Sequence, residues 1–492
     1  MGRRNDDEMN TRPLTAGVAR VDITPPVGFR MQGVMRRIEG AVGVESALLA
    51  TVLVLADESA KVAIFDCDLI GFDLPLADEI REAVGRRLDI PARCVALGCT
   101  HTHNGPCTSR GNLGGVHDVG GDTEERAALD AYIARLKDRL VEIAAQADSR
   151  REPARAAAGR GAVAMAINRE ERTEDGRVIL GRNPEGATDH SVDVLRVDDL
   201  DGKPIAVLTG YAAHPVVMGF STDVFSQDFP GVVRRVVEDV TKATCLYLTG
   251  AAGNQACLSF LQDDLGEKQR MGGLVGCEAA RVFFEIETRP HEVAREVGAS
   301  LSSVAFYRKA FRDEPTHRCL VTASREVTVP LQPLPSRQEA EARLAEARSA
   351  LEKLEASGAP STATYPARMV ADRANLALDK LKAGATRESL TFEIVGFRLD
   401  DFVLLGMPGE PFVEIGLRAK ARSKFTHTMF AGYCNGILAY WPTAHTVAQG
   451  GMAVETAVTT YRIAAPPAAE AAETIVAAFD ALLEALAAAS EK

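Results

Sequence analysis

Apolar residues fall along this chain in short runs that stop abruptly at polar residues flanked by glycine or proline. The sharpest case is Val95 to Pro106, Val-Ala-Leu-Gly-Cys-Thr-His-Thr-His-Asn-Gly-Pro. Its first half predicts a buried strand and its second half a loop, so His101 and His103 come at the carboxyl end of a strand. In open α/β sheets the crevice at those ends is where ligands bind. If extended geometry continues two residues further, both imidazoles point to one side of the chain.

The same pattern organises the rest. Gly17 to Thr24 alternates as a strand stopped by Pro25-Pro26, and Leu48 to Leu55 and Lys61 to Leu69 read as two buried strands. Leu76 to Leu88 has helical spacing and leads into the strand before His101, a β-α-β unit with a parallel pair implied. Residues 104–123 are dense in glycine, as in a binding loop, although slack in the chain accounts for this equally well. Glu124 to Gln146 predicts an amphipathic helix. Ala156 to Asn168, Val192 to Val197 and Pro204 to Ala212 predict strands, the last ending in Ala213-His214-Pro215. Helices at 230–241 and 267–286 flank a strand at 244–249 and a Gly-rich turn. Ala299 to Phe306, Cys319 to Leu331 and a pair around Asp400-Asp401 continue in β style, and helices at 411–423 and Ala468 to Ala488 follow. Two Ala, Glu, Leu and Lys-rich runs, Ser336 to Ala356 and Ala367 to Leu381, interrupt this frame and predict a helical hairpin with a leucine seam.

The fold expected is α/β, a mixed sheet core with flanking helices and an inserted helical hairpin. Its parts are a disordered lead at 1–15, a core at 16–335 and 384–465, the hairpin at 336–383 and a C-terminal helix at 466–492. The hairpin reads as a solvated arm or as a homo-oligomer contact.

Composition narrows the function. The chain has 492 residues, 46% of them hydrophobic, and a net charge of −12 from 56 basic and 68 acidic side chains. It has the means for a large core and disfavours nucleic acid and anionic lipid. Nine cysteines without a Cys-x-x-Cys pair argue against a disulfide framework and a thiolate zinc site, although Cys99 and Cys107 flank the histidines. With no export signal and no run of 18 apolar residues, the expectation is a cytoplasmic protein with a small-molecule substrate and no stable membrane association.

Four more residues share the strand-end setting: Arg169 after Ile167-Asn168, His214, Glu410 between Gly409 and Pro411, and Tyr440 in Tyr-Trp-Pro-Thr443. Each alone is explained as well by a hydrogen-bonded core residue or a helix-start charge. Together, two imidazoles and a carboxylate are a common catalytic zinc set, which iron or manganese would also accept.

Thr100-His-Thr-His-Asn-Gly-Pro106, Ala213-His-Pro215, Gly409-Glu-Pro411 and Tyr440-Trp-Pro-Thr443, in that order, resemble the neutral non-lysosomal ceramidase family of zinc amidases, as does Gly17-Val-Ala-Arg-Val-Asp-Ile-Thr-Pro-Pro26. The resemblance runs from about residue 16 to 463. It implies one zinc held by His101, His214, Glu410 and Tyr440, with His103 beside the metal or the substrate and Asn168-Arg169 at the substrate carbonyl. The family's ceramide-cleaving members carry Gly-Asp-x-Ser-Pro with a candidate serine nucleophile. Here the matching stretch is Gly253-Asn-Gln-Ala256-Cys257, and the serine is replaced by alanine.

The expected activity is therefore zinc-dependent hydrolysis of an N-acyl amide of a small soluble substrate by zinc-bound water. In that reading His103, Arg169 and Tyr440 act on the reaction, with His103 managing the proton and Arg169 holding an oxyanion or a carboxylate. Cys257 and Ser259 remain as substitute nucleophiles. A carbohydrate esterase or deacetylase, a metal-dependent lyase and an inactive ligand-binding homologue are the alternatives.

Overall fold

Short buried strands and the helices between them carry the architecture in the computed structural model, which describes residues 13–34, 39–110, 123–219, 221–297, 303–312, 317 and 319–489. The polar lead and most of the glycine-dense stretch lie outside these residues. An eight-stranded mixed sheet runs from Thr244–Thr249 at one edge through Pro204–Tyr211, Ser191–Asp199, Glu152–Ala162, Leu14–Asp22, Leu49–Ala56 and Lys61–Cys67 to Val95–Cys99 at the other. The outermost pair at each edge is parallel and the inner pairs are antiparallel. Each parallel pair is joined by a helix, Leu74–Leu88 at one edge and Asp228–Thr241 at the other, as a parallel connection requires. The expected strand from Ala156 to Asn168 is in fact two, Glu152–Ala162 and Ala166–Arg172, because the chain turns at 163–165 and the second piece pairs elsewhere, with Gln255–Cys257.

The two edges are drawn together. Arg234, on the helix at one edge, reaches Asp66 at 2.7 Å and Asp68 at 2.6 Å near the other, and all three are buried. The Tyr247 N–H donates to Asp66 at 2.9 Å, and the Thr249 hydroxyl to the Thr100 carbonyl at 2.6 Å. Strand ends that an open sheet would hold far apart therefore meet.

A four-stranded sheet, Leu320–Pro333, Arg387–Leu399, Phe402–Gly406 and His427–Ala431, adds a third parallel pair at its end, joined by the helix Val413–Arg422. Its core includes Phe392, Val403, Phe430 and Trp441, packed under the C-terminal helix Ala471–Ala488. The helical hairpin stands between the first two strands of this sheet. Its helices are Arg337–Ala356, opened by a Ser336/Glu339 capping box, and Ser361–Lys382. The second begins well before the expected position and carries Pro366 inside the helix, where the ring has no N–H to give to the carbonyl one turn back. All nine cysteines are free thiols, and no helix among the described residues is long and apolar enough to cross a membrane.

Candidate active site

Each of the three helix-joined parallel pairs ends a strand at one place. His101 follows Val95–Cys99, His214 follows Pro204–Tyr211, and Glu410 follows Phe402–Gly406. The His101 backbone is left-handed, φ 66°, an uncommon state for a residue with a side chain, which turns the chain out of the strand.

Three backbone carbonyls set the imidazoles. His101 Nδ1 lies 2.6 Å from the Ile70 oxygen, His103 Nδ1 2.8 Å from Gly33 and His214 Nδ1 2.7 Å from Ala252. A carbonyl can only accept, so each Nδ1 carries a proton, and in the neutral form of each ring the lone pair is on Nε2. Those lone pairs face one another. His101 Nε2 is 3.0 Å from His214 Nε2 and 3.3 Å from His103 Nε2, and the three rings can offer ligand atoms within 4.8 Å of one another. With the protons held at Nδ1 these contacts are not hydrogen bonds, so they repel until a cation sits between them. The donor set fits a metal ion, and backbone-held Nδ1–H groups are the usual orienting partners of metal-ligating histidines.

Glu410 closes the group, with Oε2 at 3.2 Å from His214 Nε2 and 3.5 Å from His101 Nε2. Tyr461 donates to its other oxygen, and Tyr433 approaches Oε2 at 3.5 Å. Burial holds His101 and His214 well below the ordinary imidazole pKa, and the charge of Arg169 adds to this for His214. Burial likewise pushes the phenols of Tyr433, Tyr440 and Tyr461 well above theirs.

Arg169 is buried beside the cluster. Its guanidinium donates to the Gly253 carbonyl at 2.7 Å and to the Tyr440 hydroxyl at 3.0 Å, and its Nη2 lies 3.3 Å from His214 Nε2. Burial alone would lower its pKa, but Tyr440 and Glu410 keep it raised, so it stays a cation. Tyr440 is placed by a short parallel pairing of Glu410–Pro411 with Tyr440–Trp441. The structure thus brings together His101, His103, Arg169, His214, Glu410 and Tyr440. Tyr461 and Tyr433, which contact Glu410, have no signal in the sequence that marks them.

His101, His103, Arg169, Glu410, Tyr440 and Tyr461 line a cavity of about 850 Å³ whose walls also include Ile70, Leu180, Val216, Phe260 and Met452, with His214 behind them. Thr362 and Pro366 of the second hairpin helix line it too, so that end of the insertion belongs to the site.

The stretch matched to the family's nucleophile segment behaves differently. Ala256 is buried, paired with Ile167 and bridged to His214. Cys257 packs with Met165, Tyr211 and Phe229, and burial drives its thiol pKa well above normal. The Ser259 hydroxyl accepts from Arg270 at 3.0 Å, and neither Cys257 nor Ser259 lines the cavity.

Residues 14–267, just over half of the chain, match the N-terminal domain of the neutral/alkaline non-lysosomal ceramidases. The chain belongs to that family. The ceramidase fold extends past the matched half. The neutral ceramidase of Pseudomonas aeruginosa superposes with a TM-score of 0.62 at 18% identity, over 98% of this chain and 75% of that one. A ceramidase complexed with C2 superposes with a TM-score of 0.64 at 16% identity, over 97% and 76%. Glu410, Tyr440 and Tyr461 lie beyond the matched residues, in the part where the likeness is one of fold.

Proposed function

We propose that this ceramidase-family protein is a zinc-dependent hydrolase that cleaves the amide bond of a small N-acyl substrate. The observation that carries the reading is the convergence of three Nε2 lone pairs beside the Glu410 carboxylate in a largely apolar cavity. His101, His214 and Glu410 would hold the ion, with Tyr440 as a fourth, weaker ligand. A zinc ion there supplies a Lewis acid for the amide carbonyl and brings the pKa of a bound water to ~7.

The protein's own groups do the rest. The Arg169 guanidinium, fixed by Gly253 and Tyr440, presents a permanent positive charge where a carbonyl oxygen gains negative charge. His103, with its proton on Nδ1 and its Nε2 open to the cavity, accepts a proton from water and returns it to the leaving amine. The apolar walls take the acyl group and exclude bulk water. With Ala256 at the serine position and Cys257 and Ser259 outside the cavity, attack by water needs no covalent acyl-enzyme.

The test is metal analysis joined to a screen of N-acyl amino acids, short acyl amides, ceramides and acyl sugars. Turnover of an N-acyl compound that a chelator abolishes and zinc restores is the expected result. Turnover confined to acyl sugars would replace the amidase reading with an esterase or deacetylase. A chain that takes up zinc and turns over nothing would be the inactive binding homologue.

A further inference from the structure

The hairpin insertion holds a second cavity, of about 390 Å³, between its two helices and the body of the protein. Its walls are small, Ala340, Ala347 and Ala350 from the first helix and Ala374 and Ala377 from the second, where a few positions away Leu344 and Leu378 fill the seam. Alanine at these positions leaves space that a regular helical hairpin would close. Into it face Arg343 from the first helix and Arg373 from the second.

These two arginines differ from the others on the hairpin, each of which has a side-chain partner. Arg337 pairs with Glu341 at 2.9 Å, Arg368 with Glu355 at 2.9 Å, and Arg348 donates to Asn375 at 3.4 Å. Among the described residues neither Arg343 nor Arg373 makes an ion pair at that range; the Glu339 carboxylate, held by Ser336, feels the Arg343 charge from further off, and Glu346 lines the same cavity. Carboxylates are not scarce here; they are turned elsewhere. Arg373 is half-buried, and burial together with the charge of Arg343 lowers its pKa. Arg343 is exposed on the other side of the same space, and two like charges facing one space repel until an anion joins them.

We propose that the cavity between the hairpin helices is an oxyanion site in which Arg343 and Arg373 clamp a phosphate-type ligand. Two planar guanidinium forks match the tetrahedral oxygens of phosphate and its monoesters, and the alanine walls leave the room. Net charge of −12 works against casual anion binding, so retention at this spot depends on the pair itself. The site stands independently of the metal reading. It lies on the helix that also carries Thr362 and Pro366 to the main cavity, which gives an anion bound here a physical route to the shape of that cavity.

The experiment compares melting of the full chain in inorganic phosphate and in sodium chloride of equal ionic strength, with titration calorimetry on the same samples. Phosphate should raise the Tm of the wild-type chain by about 1–2 °C beyond chloride, with heat of binding at about one site. Arg343→Glu supplies Arg373 with a built-in partner, so it should melt higher than wild type without phosphate and show no phosphate response. Arg373→Met should also lose the response, and if it fails to fold, Arg343→Glu decides alone. No phosphate-specific shift in the wild type, or a shift that survives undiminished in Arg343→Glu, overturns the proposal. In the second case the anion sits elsewhere, with Arg169 the first place to look.

Discussion

His101, His214 and His317 are almost equally hidden, at 1%, 0% and 4% exposure, yet their surroundings drive them to opposite charges. The site histidines each have one nitrogen on a backbone carbonyl and the other turned to the neighbouring imidazole, with Arg169 Nη2 also 3.3 Å from His214 Nε2, and burial keeps them neutral. His317 has Nε2 at 3.0 Å from Asp57 and Nδ1 at 3.3 Å from Asp400. Burial opposes its charge, but hydrogen bonds to Asp400 and Asp57 prevail and push its pKa up to about 9. With acceptors on both nitrogens a ring carries two protons and has no lone pair to offer. With one acceptor and one open nitrogen it is a ligand. Burial alone does not make a histidine a metal site; the second nitrogen decides.

The comparison breaks most visibly at the ligands. His101→Ala with His214→Ala should take metal content from about one ion per chain to near zero, measured by plasma mass spectrometry after gel filtration. His317→Ala should leave it unchanged. Zinc that stays stoichiometric in the double variant would place the site elsewhere. The carboxylate side is held by side chains rather than carbonyls, so it is open to finer damage. Tyr461→Phe removes the donor to Glu410 and should weaken zinc roughly 10–100-fold in competition with a chromogenic chelator. Affinity equal to wild type would show that Glu410 needs no such support.

The proposed ligands His101, His214 and Glu410 were legible in the sequence because each follows an apolar run that ends in a Gly or Pro break, and parallel pairing then brings these ends together. What joins them was not. The edges of the eight-stranded sheet meet through Arg234, Asp66 and Asp68, contacts between residues more than 160 positions apart that no local pattern encodes. Tyr461 lies in an irregular turn after Ala457–Thr460, where periodicity says nothing about direction. The hairpin was legible as two helices with a leucine seam, but its length and solvent-facing charges read as an arm, and the placing of Thr362 and Pro366 in the cavity depends on how the pair leans on the body. Thr362→Trp puts that placement to the test. Metal content should not change, while KM for a turned-over N-acyl substrate rises by about tenfold, the cost of ~1–2 kcal/mol of overpacking. An unchanged KM would return the hairpin to the periphery.

The charged histidine makes its own prediction, and its sign follows from its partners. A folded pKa of about 9 against an ordinary 6.5 means that His317 contributes in full below pH ~6.5 and loses that contribution as pH rises through about 9. Asp57 is shifted the other way, below the carboxylate range by its hydrogen bonds to His317 and Ser59 against the pull of burial, so its share is lost only in strong acid. After allowance for solvent screening the histidine is worth about 1 kcal/mol. Urea midpoints at pH 6 and pH 10 should therefore differ by more in the wild type than in His317→Gln. A variant whose loss of stability from pH 6 to pH 10 equals that of wild type would remove the ion-pair account.

The smallest expected effect belongs to Cys257, a buried titratable group whose charged neighbour, Asp228, has the sign that disfavours a thiolate. Its Sγ lies 4.0 Å from the His214 carbonyl oxygen, which places it near the site along the backbone but not in the cavity. Burial first, and then the Asp228 carboxylate, push its pKa well above the usual thiol value, so the thiol stays protonated, and a protonated buried thiol neither attacks a carbonyl nor binds a metal. Cys257→Ala should accordingly keep activity within about twofold of wild type, with the loss, if any, appearing in stability through the small void it leaves. The decisive observation is made on the wild type. Turnover is quenched in acid on the millisecond scale and the intact protein weighed. Water as the nucleophile leaves the mass unchanged at every time point. An acyl adduct on Cys257 that forms and decays as fast as product appears would mean that the thiol reaches the substrate after all, and that the packing around it opens during the reaction.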